Sequence, residues 1–569
     1  KLRMIMGSGK DVRMMVYYGY ARLVGYDLNY KFQSDILAGY EVEEGRIFTL
    51  RLRPGHRWSD GAPFTTEDFR FAHEDVMLNK KLSRGGLATE MLVDGAGPKV
   101  TIIDEVTVRY EWDKPNPKFL PALAAPLPLY LMYPAHYLKQ FHAKYIGEEK
   151  ADEIAKERKY KHWRAMFIRL ARQNRPENPD LPTLDPWVQT IAPPAEQFVF
   201  VRNPYFHRVD SHGRQLPYID SVEMNISNPT LIPAKTGAGE SDLQGRYISF
   251  EDYTFLKQAE KRQNYEVLLW KSAVGSKVAV RPNLNFKDDT WRAVLQDVRF
   301  RRALSLGINR HEINMATFFG LGREVTDSPL EQSPLYKQKY ADAWSNHDPV
   351  LANRLLDQAG LSKRDTDGIR LLPDGKRAEL IIETAGESTV ETDVLQLITD
   401  HWAELGIKVY TRATQRDIFR SRLKAGNTMM SVWSGLDNAL PQPSMSPEEL
   451  APSNDSQTQW PQWGLYGMTD GQSGTKPDLE PVTELMDLWS QWNRSTDDDV
   501  RAEIWSKMLD IYTDQAFSIG TVNSTLQPIV VNKRLRNVPK EDIFSFQPGS
   551  YFGVFMVDTF WFKETAGSN

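Results

Sequence analysis

Helical and strand patterns alternate through the second half of the chain, and that alternation restricts the fold more than any other feature. From about Asp297 to Ile313, residues Phe300, Ala303, Leu304, Gly307 and Ile308 recur at helical spacing and make one apolar face. Asp348 and Pro349 supply an N-cap and a first-turn proline, Leu351, Ala352, Leu355, Leu356 and Ala359 make the stripe, and Gly360 is placed to stop the helix. A strand follows over 380–384, a helix over 389–405 and a strand over 406–411. Strands separated by helices pair only through crossover connections, so this half is expected to form an α/β lobe. In the first half, 46–53 reads as a strand, Pro54-Gly55 as a turn, and the segment from Thr65 or Thr66 to Asn79 as a helix with Glu67 and Asp68 in its first turn. Residues 145–178, rich in Lys, Arg and Glu, read as a solvated helical elaboration. Residues 436–478 show little periodicity and read as one long functional loop.

No single core serves 569 residues, so two to four units are expected. The absence of cysteine excludes disulfides, thiolate metal sites and cysteine nucleophiles. A net charge of -5, scattered along the chain, gives no footprint for nucleic acid or an anionic membrane. The apolar stretch 119–135 is broken by four prolines and is too short to span a bilayer. The sequence opens at Lys1 with no apolar leader, so an export signal is expected to have been removed beforehand. Gly7-Ser-Gly-Lys10 lacks the first glycine and the magnesium-binding hydroxyl of a phosphate loop, and Asp365-Thr-Asp367-Gly368 lacks the turn glycine and terminal glutamate of a calcium loop. Neither HExxH nor G-x-S-x-G occurs, and neither a metal nor a cofactor is expected. Paired carboxylates converge only in three dimensions, which leaves a secreted glycosidase or peptidase as the lesser alternative to a non-enzyme.

Trp58-Ser-Asp-Gly-Ala-Pro-Phe-Thr-Thr-Glu-Asp68 resembles the W-S-D-G-x-P-x-T-x-x-D stretch of the extracellular solute-binding proteins of the oligopeptide/nickel type, family 5. Residues 297–310, the segment Leu-Leu-Asp-Gln-Ala-Gly-Leu ending at Leu361, and Asp374-Gly-Lys376 resemble the same family in the same order. The resemblance implies an α/β, two-lobed periplasmic-binding-protein fold with an extra subdomain inserted in lobe I. The implied divisions are a first strand in 1–25, the inserted subdomain in 26–185, the lobe I core in 186–277, lobe II in 278–520 with a hinge near 278–286, and a return to lobe I in 521–569. Trp58 and Asp60 are implied to be structural. The stretch Asn203 to Asp220 resembles the longer, oligosaccharide-binding members, although Phe206 and His207 depart from the usual aromatic spacing.

The same resemblance implies a periplasmic, monomeric subunit of an ABC importer that docks on membrane permease subunits and binds a small solute between lobes. Peptide binders of the family pair the N-terminal ammonium with an Asp shortly after a Trp. Here Asp437 comes one residue late after Trp433, and Met430 stands where several members carry Arg. Sugars are held by flat rings under their C–H faces and by planar polar groups on their hydroxyls. Trp433, Trp460, Trp463 and Tyr466, with Asp437 and Asn438, supply that chemistry, and Arg246, Asn285 and Arg13 complete the candidate site. Tyr20 to Asp27 and Trp433 to Asn438 resemble the rhizobial α-galactoside binders, which favours melibiose, raffinose-type sugars or galactinol, with an oligopeptide or an opine-like conjugate as the alternative.

Overall fold

The computed structural model describes residues 1–83, 85–469 and 471–564. The chain forms two compact units, Lys1–Trp270 with Gln527–Asn569, and Lys271–Leu526. The chain leaves the first unit inside the strand Tyr265–Ser272 and re-enters it inside Leu526–Asn532. The second unit therefore begins before, and ends after, the 278–520 expected from sequence. Ala279–Pro282, expected at the hinge, lies wholly inside that unit.

In the first unit Leu2–Met6 pairs parallel with Ser221–Ile226, which continues antiparallel to Gln197–Arg202 and Trp187–Gln189. Buried Met4, Phe198, Phe200, Val222, Met224, Ile529, Val531 and Phe552 share the core of this region. A second core lies on an antiparallel sheet ordered Leu37–Glu43, Ile47–Leu52, Thr107–Glu111, Lys99–Asp104. Trp58 is fully buried there and donates from Nε1 to Asp68 at 3.0 Å, while Asp60 accepts from the Ala62 amide at 3.1 Å. The Trp58–Asp68 stretch is thus a packed turn leading into a capped helix, Thr66–Arg70, in line with its implied structural role. The segment 145–178 is not wholly a solvated elaboration. Its helices Glu148–Glu157 and Trp163–Leu170 share a core around Trp163, Met166 and Phe167 with Phe71, Leu138 and Phe141.

The second unit is built on a five-stranded sheet in the order Lys408–Ala413, Glu379–Thr384, Met430–Trp433, Ala279–Pro282, Ile519–Gly520. The first three strands are parallel and connected through the helices Thr389–Glu404 and Arg416–Lys424, as the alternating pattern requires. The helix read over 297–313 is two helices. Val298–Gly307 ends at Ile308, and Asn309 starts Arg310–Phe318 by accepting from the Glu312 amide at 3.1 Å. Asp348 caps Pro349–Leu356 through the Leu351 amide, and Gly360, at φ 89°, closes the following turn. The Asp365 turn is tied to Arg377 by ion pairs from both Asp365 and Asp367, which occupy the carboxylates that a calcium loop would present.

Candidate functional site

Three parallel strands of the second unit end on the same side of its sheet, and in open α/β sheets ligands bind beyond the carboxyl ends of the strands. The loops on that side are 385–388, 414–415 and 434–438. Trp433 is the last residue of its strand and is half-buried. Its ring lies parallel to Phe419 at 6.4 Å, and the Arg416 guanidinium sits 5.1 Å from the ring centroid. Arg416 is held in turn by Glu387, to which Nε donates at 2.9 Å. Burial first, and then the Glu387 charge, push the nearby Glu391 carboxyl up to about 7.

Beyond Trp433 the chain passes through Ser434, Gly435 and Leu436 to Asp437, whose side chain is exposed. The loop is fixed from beneath. The Leu436 amide donates to Asp327 Oδ1 at 2.8 Å, and the Asp437 and Asn438 amides donate to Glu449 Oε2 and Oε1 at 2.8 and 3.2 Å. Arg281, on the neighbouring strand, donates from Nε to Ser518 at 3.2 Å and places Nη2 3.8 Å from Asp327 Oδ2. Burial raises the pKa of Asp327, and the nearby Arg281 charge opposes the shift. Asp327 and Asp437 share the charge of this one guanidinium.

The remaining expected residues separate. Trp460 is fully buried, donates from Nε1 to Gln457 at 3.0 Å and packs edge-on against Phe517, 5.1 Å between centroids. Trp463 is 3% exposed in the same core. Neither offers a ring face to a solute. Asn285 is spent on structure, because its Oδ1 accepts the Gln462 and Trp463 amides at 3.0 and 3.2 Å and so caps the helix Pro461–Met468 from a distant part of the chain. Asn438 accepts the Leu440 amide at 3.1 Å in a tight turn and donates to Met445 Sδ. Tyr466 is half-buried beneath the turn at Gly471. Of the second-unit candidates, the pair that combines accessibility with suitable chemistry is Trp433 and Asp437.

The stretch 436–478 is not a single loop either. It carries the helix Pro461–Met468 and is pinned by tryptophans from later helices: Trp492 Nε1 donates to the Pro443 carbonyl, Trp489 to Ser446 and Trp505 to the Met445 carbonyl. In the first unit, Arg13 is exposed. Arg246 stacks on Tyr247 at 4.7 Å with Nη2 3.3 Å from Asp11, and Tyr247 donates to that same Asp11 at 2.7 Å. The Asn203–Asp220 stretch serves packing through buried Arg208, which donates to both oxygens of Asp35 and to Asp558. Glu449 and Asp327, which set the loop, were not anticipated. Both partner it across long sequence distances, and neither lies in a motif.

An α/β sheet whose strand ends present an accessible indole and carboxylate defines a binding surface for a polar solute. Among the described residues no group of His, Cys, Asp and Glu is placed to hold a metal ion, and no helix is long and apolar enough to cross a membrane. The family model for the bacterial extracellular solute-binding proteins, family 5, matches residues 31–457, and the chain belongs to that family. It is a solute-binding protein of an ABC importer, in a family of binding proteins rather than enzymes. The chain is 25% identical over 517 residues to the periplasmic alpha-galactoside-binding protein of Rhizobium meliloti (strain 1021), a match covering 87% of this chain and 69% of that one. A solved oligopeptide-binding protein OppA is similar at 31% identity and a TM-score of 0.77, covering 99% of this chain and 90% of the other. MelB of Agrobacterium fabrum C58, solved in complex with stachyose, shares the fold at 20% identity and a TM-score of 0.71, covering 99% and 84%.

Proposed function

We propose that this protein captures an oligosaccharide of the α-galactoside class in the periplasm and delivers it to its permease. The observation that carries the reading is the pairing of the half-buried Trp433 indole with the exposed Asp437 carboxylate on one loop at the strand ends. An indole offers a face to the C–H surface of a pyranose, and an ionised carboxylate accepts from two adjacent hydroxyls. Phe419 and Arg416 fix the ring before a solute arrives, so little conformational freedom is lost on binding. The relative named for alpha-galactosides supports the choice of sugar.

A second reading, an oligopeptide solute, is favoured by the surplus of carboxylates around Asp437. Asp437 and Glu449 raise each other's cost of ionisation, a solute ammonium at the exposed Asp437 would relieve it, and the OppA structure is similar in the same direction. Titration calorimetry with melibiose, raffinose and stachyose beside di- to tetrapeptides separates the two. Heat from an α-galactoside with none from peptides is expected. Saturable heat from peptides alone would replace the sugar reading with the second.

A further inference from the structure

Three successive backbone amides, those of Leu436, Asp437 and Asn438, end on carboxylate oxygens. Consecutive N–H groups turned to one side make a concave anion site, and here two side chains of the same unit fill it. Asp327 reaches its place because residues 275 and 435 are both glycine: a Cβ at either would stand 2.2 or 2.1 Å from Oδ1. With its amides committed inward, the loop turns the Asp437 carboxyl outward. Glu449 makes the larger share of this arrangement, since its two oxygens take one amide each.

We propose that Glu449 is a positioning residue: by bracketing the Asp437 and Asn438 amides it sets the loop that presents Asp437 beside Trp433, and so governs solute affinity without touching the solute. The inference rests on the reading of Trp433 and Asp437 as the solute-facing pair. The bracket has the geometry of an ionised carboxylate, in which both oxygens accept and neither carries a proton. Protonation would set an O–H on an oxygen that already faces an N–H. Burial is the largest influence on this carboxyl and pushes it up to about 8, the Asp437 charge adds to that, and the two amide bonds pull it down. The other groups that act on it are Glu448 in its own turn and Tyr512 on the helix Asp498–Asp514. Because Asp437 opposes ionisation of Glu449, the charge on the solute-facing residue bears on the residue that holds the loop. A solute that places donors on Asp437 stabilises its charge and changes the proton affinity of the bracket.

The test uses hydrogen exchange of the whole, solute-free protein, followed by mass spectrometry on peptides covering 434–440 and corrected for the intrinsic pH dependence of exchange. Glu449→Gln keeps the volume but turns one acceptor into a donor facing an N–H, and should speed exchange at 437–438 about tenfold or more while the rest of the unit is unchanged. Asp437→Asn removes the opposing charge, so protection should persist to a pH at least about one unit lower than in the wild type. That shift is not expected of a residue that merely fills space. Calorimetry with raffinose, and with trialanine as the peptide probe, should show about tenfold weaker binding by Glu449→Gln. Unchanged exchange in Glu449→Gln, or an Asp437→Asn protection profile with no shift, overturns the bracket. Lost protection with undiminished affinity overturns its control of solute. If the wild type gives heat with neither probe, the reading of the solute fails, and the exchange results alone decide whether the bracket stands. Should Glu449→Gln not fold, the Asp437→Asn profile decides.

Discussion

Replacing Gly275 with alanine tests the packing of the candidate loop at its tightest point. The added methyl would stand 2.2 Å from Asp327 Oδ1, well inside contact distance, while its next neighbours, at Leu436, are at 3.0 Å. Asp327 cannot swing away cheaply, because its side chain is fully buried and Oδ1 holds the Leu436 amide at 2.8 Å. Expelling it leaves a buried N–H without an acceptor, a loss of about 1–3 kcal/mol, and overpacking adds about 1–3 kcal/mol. A combined cost of about 2–6 kcal/mol should lower the melting midpoint of a unit this size by roughly 4–24 °C. Differential scanning calorimetry of the intact protein measures it. Once Asp327→Ala has removed the obstructing oxygen, Gly275→Ala in that background should cost less than about 1 kcal/mol. A midpoint within about 1 °C of the wild type, or an equal cost in both backgrounds, would refute the close approach.

Trp433→Ala should weaken raffinose binding by about 1–3 kcal/mol in calorimetry and leave the melting midpoint nearly unchanged, whereas Trp460→Ala should lose about 3–5 kcal/mol of stability, seen as a lower midpoint, because it empties a core site. The reverse pattern would return Trp460 to the solute. Glu391, pushed up to about 7 by burial and the Glu387 charge, binds its proton more tightly folded than unfolded. The stability this contributes is present below pH about 4.5 and is lost as pH rises through 7. Glu391→Gln should therefore be more stable than the wild type at pH 8 by about 1–2 kcal/mol, discounted for partial exposure, with the gap closing near pH 4.5. Thermal melts across that range check it, and a gap independent of pH would count against the shift.

The readings that succeeded from sequence rest on short-range physics. Asp348, Pro349 and Gly360 cap and end a helix through groups within a few residues of one another, and Trp58, Asp60 and Asp68 close their turn within ten. The break at Ile308 was also local, since Asn309 with Glu312 three residues on is a helix start, but the continuous apolar face hid it. What sequence could not supply is partnership at long range. The order of 436–478 comes from Asn285 on one side and Trp489, Trp492 and Trp505 on the other, so the stretch has no periodicity of its own. The aromatics of that stretch looked like a solute platform because composition cannot tell a ring that lines a surface from one that anchors a segment, and Trp460 and Trp463 are anchors. Glu449 and Asp327 were missed for the same reason. A carboxylate that accepts backbone amides leaves no pattern in the residues it serves.

The order in which the chain leaves and re-enters its first unit carries a consequence for synthesis. A nascent polypeptide that has reached Leu526 already contains every residue of the second unit, which is contiguous, and can complete that unit's sheet. The first unit, although begun first, still lacks Ile529, Val531 and Phe552 from its core and the strand Leu526–Asn532 that pairs with Leu243–Gln244. Residues 1–270 must therefore wait, with an apolar face uncovered, until residues 527–569 emerge. The younger half of the molecule is finished before the older half can be, and any factor that shields unfinished chains would have its longest engagement with the amino-terminal portion.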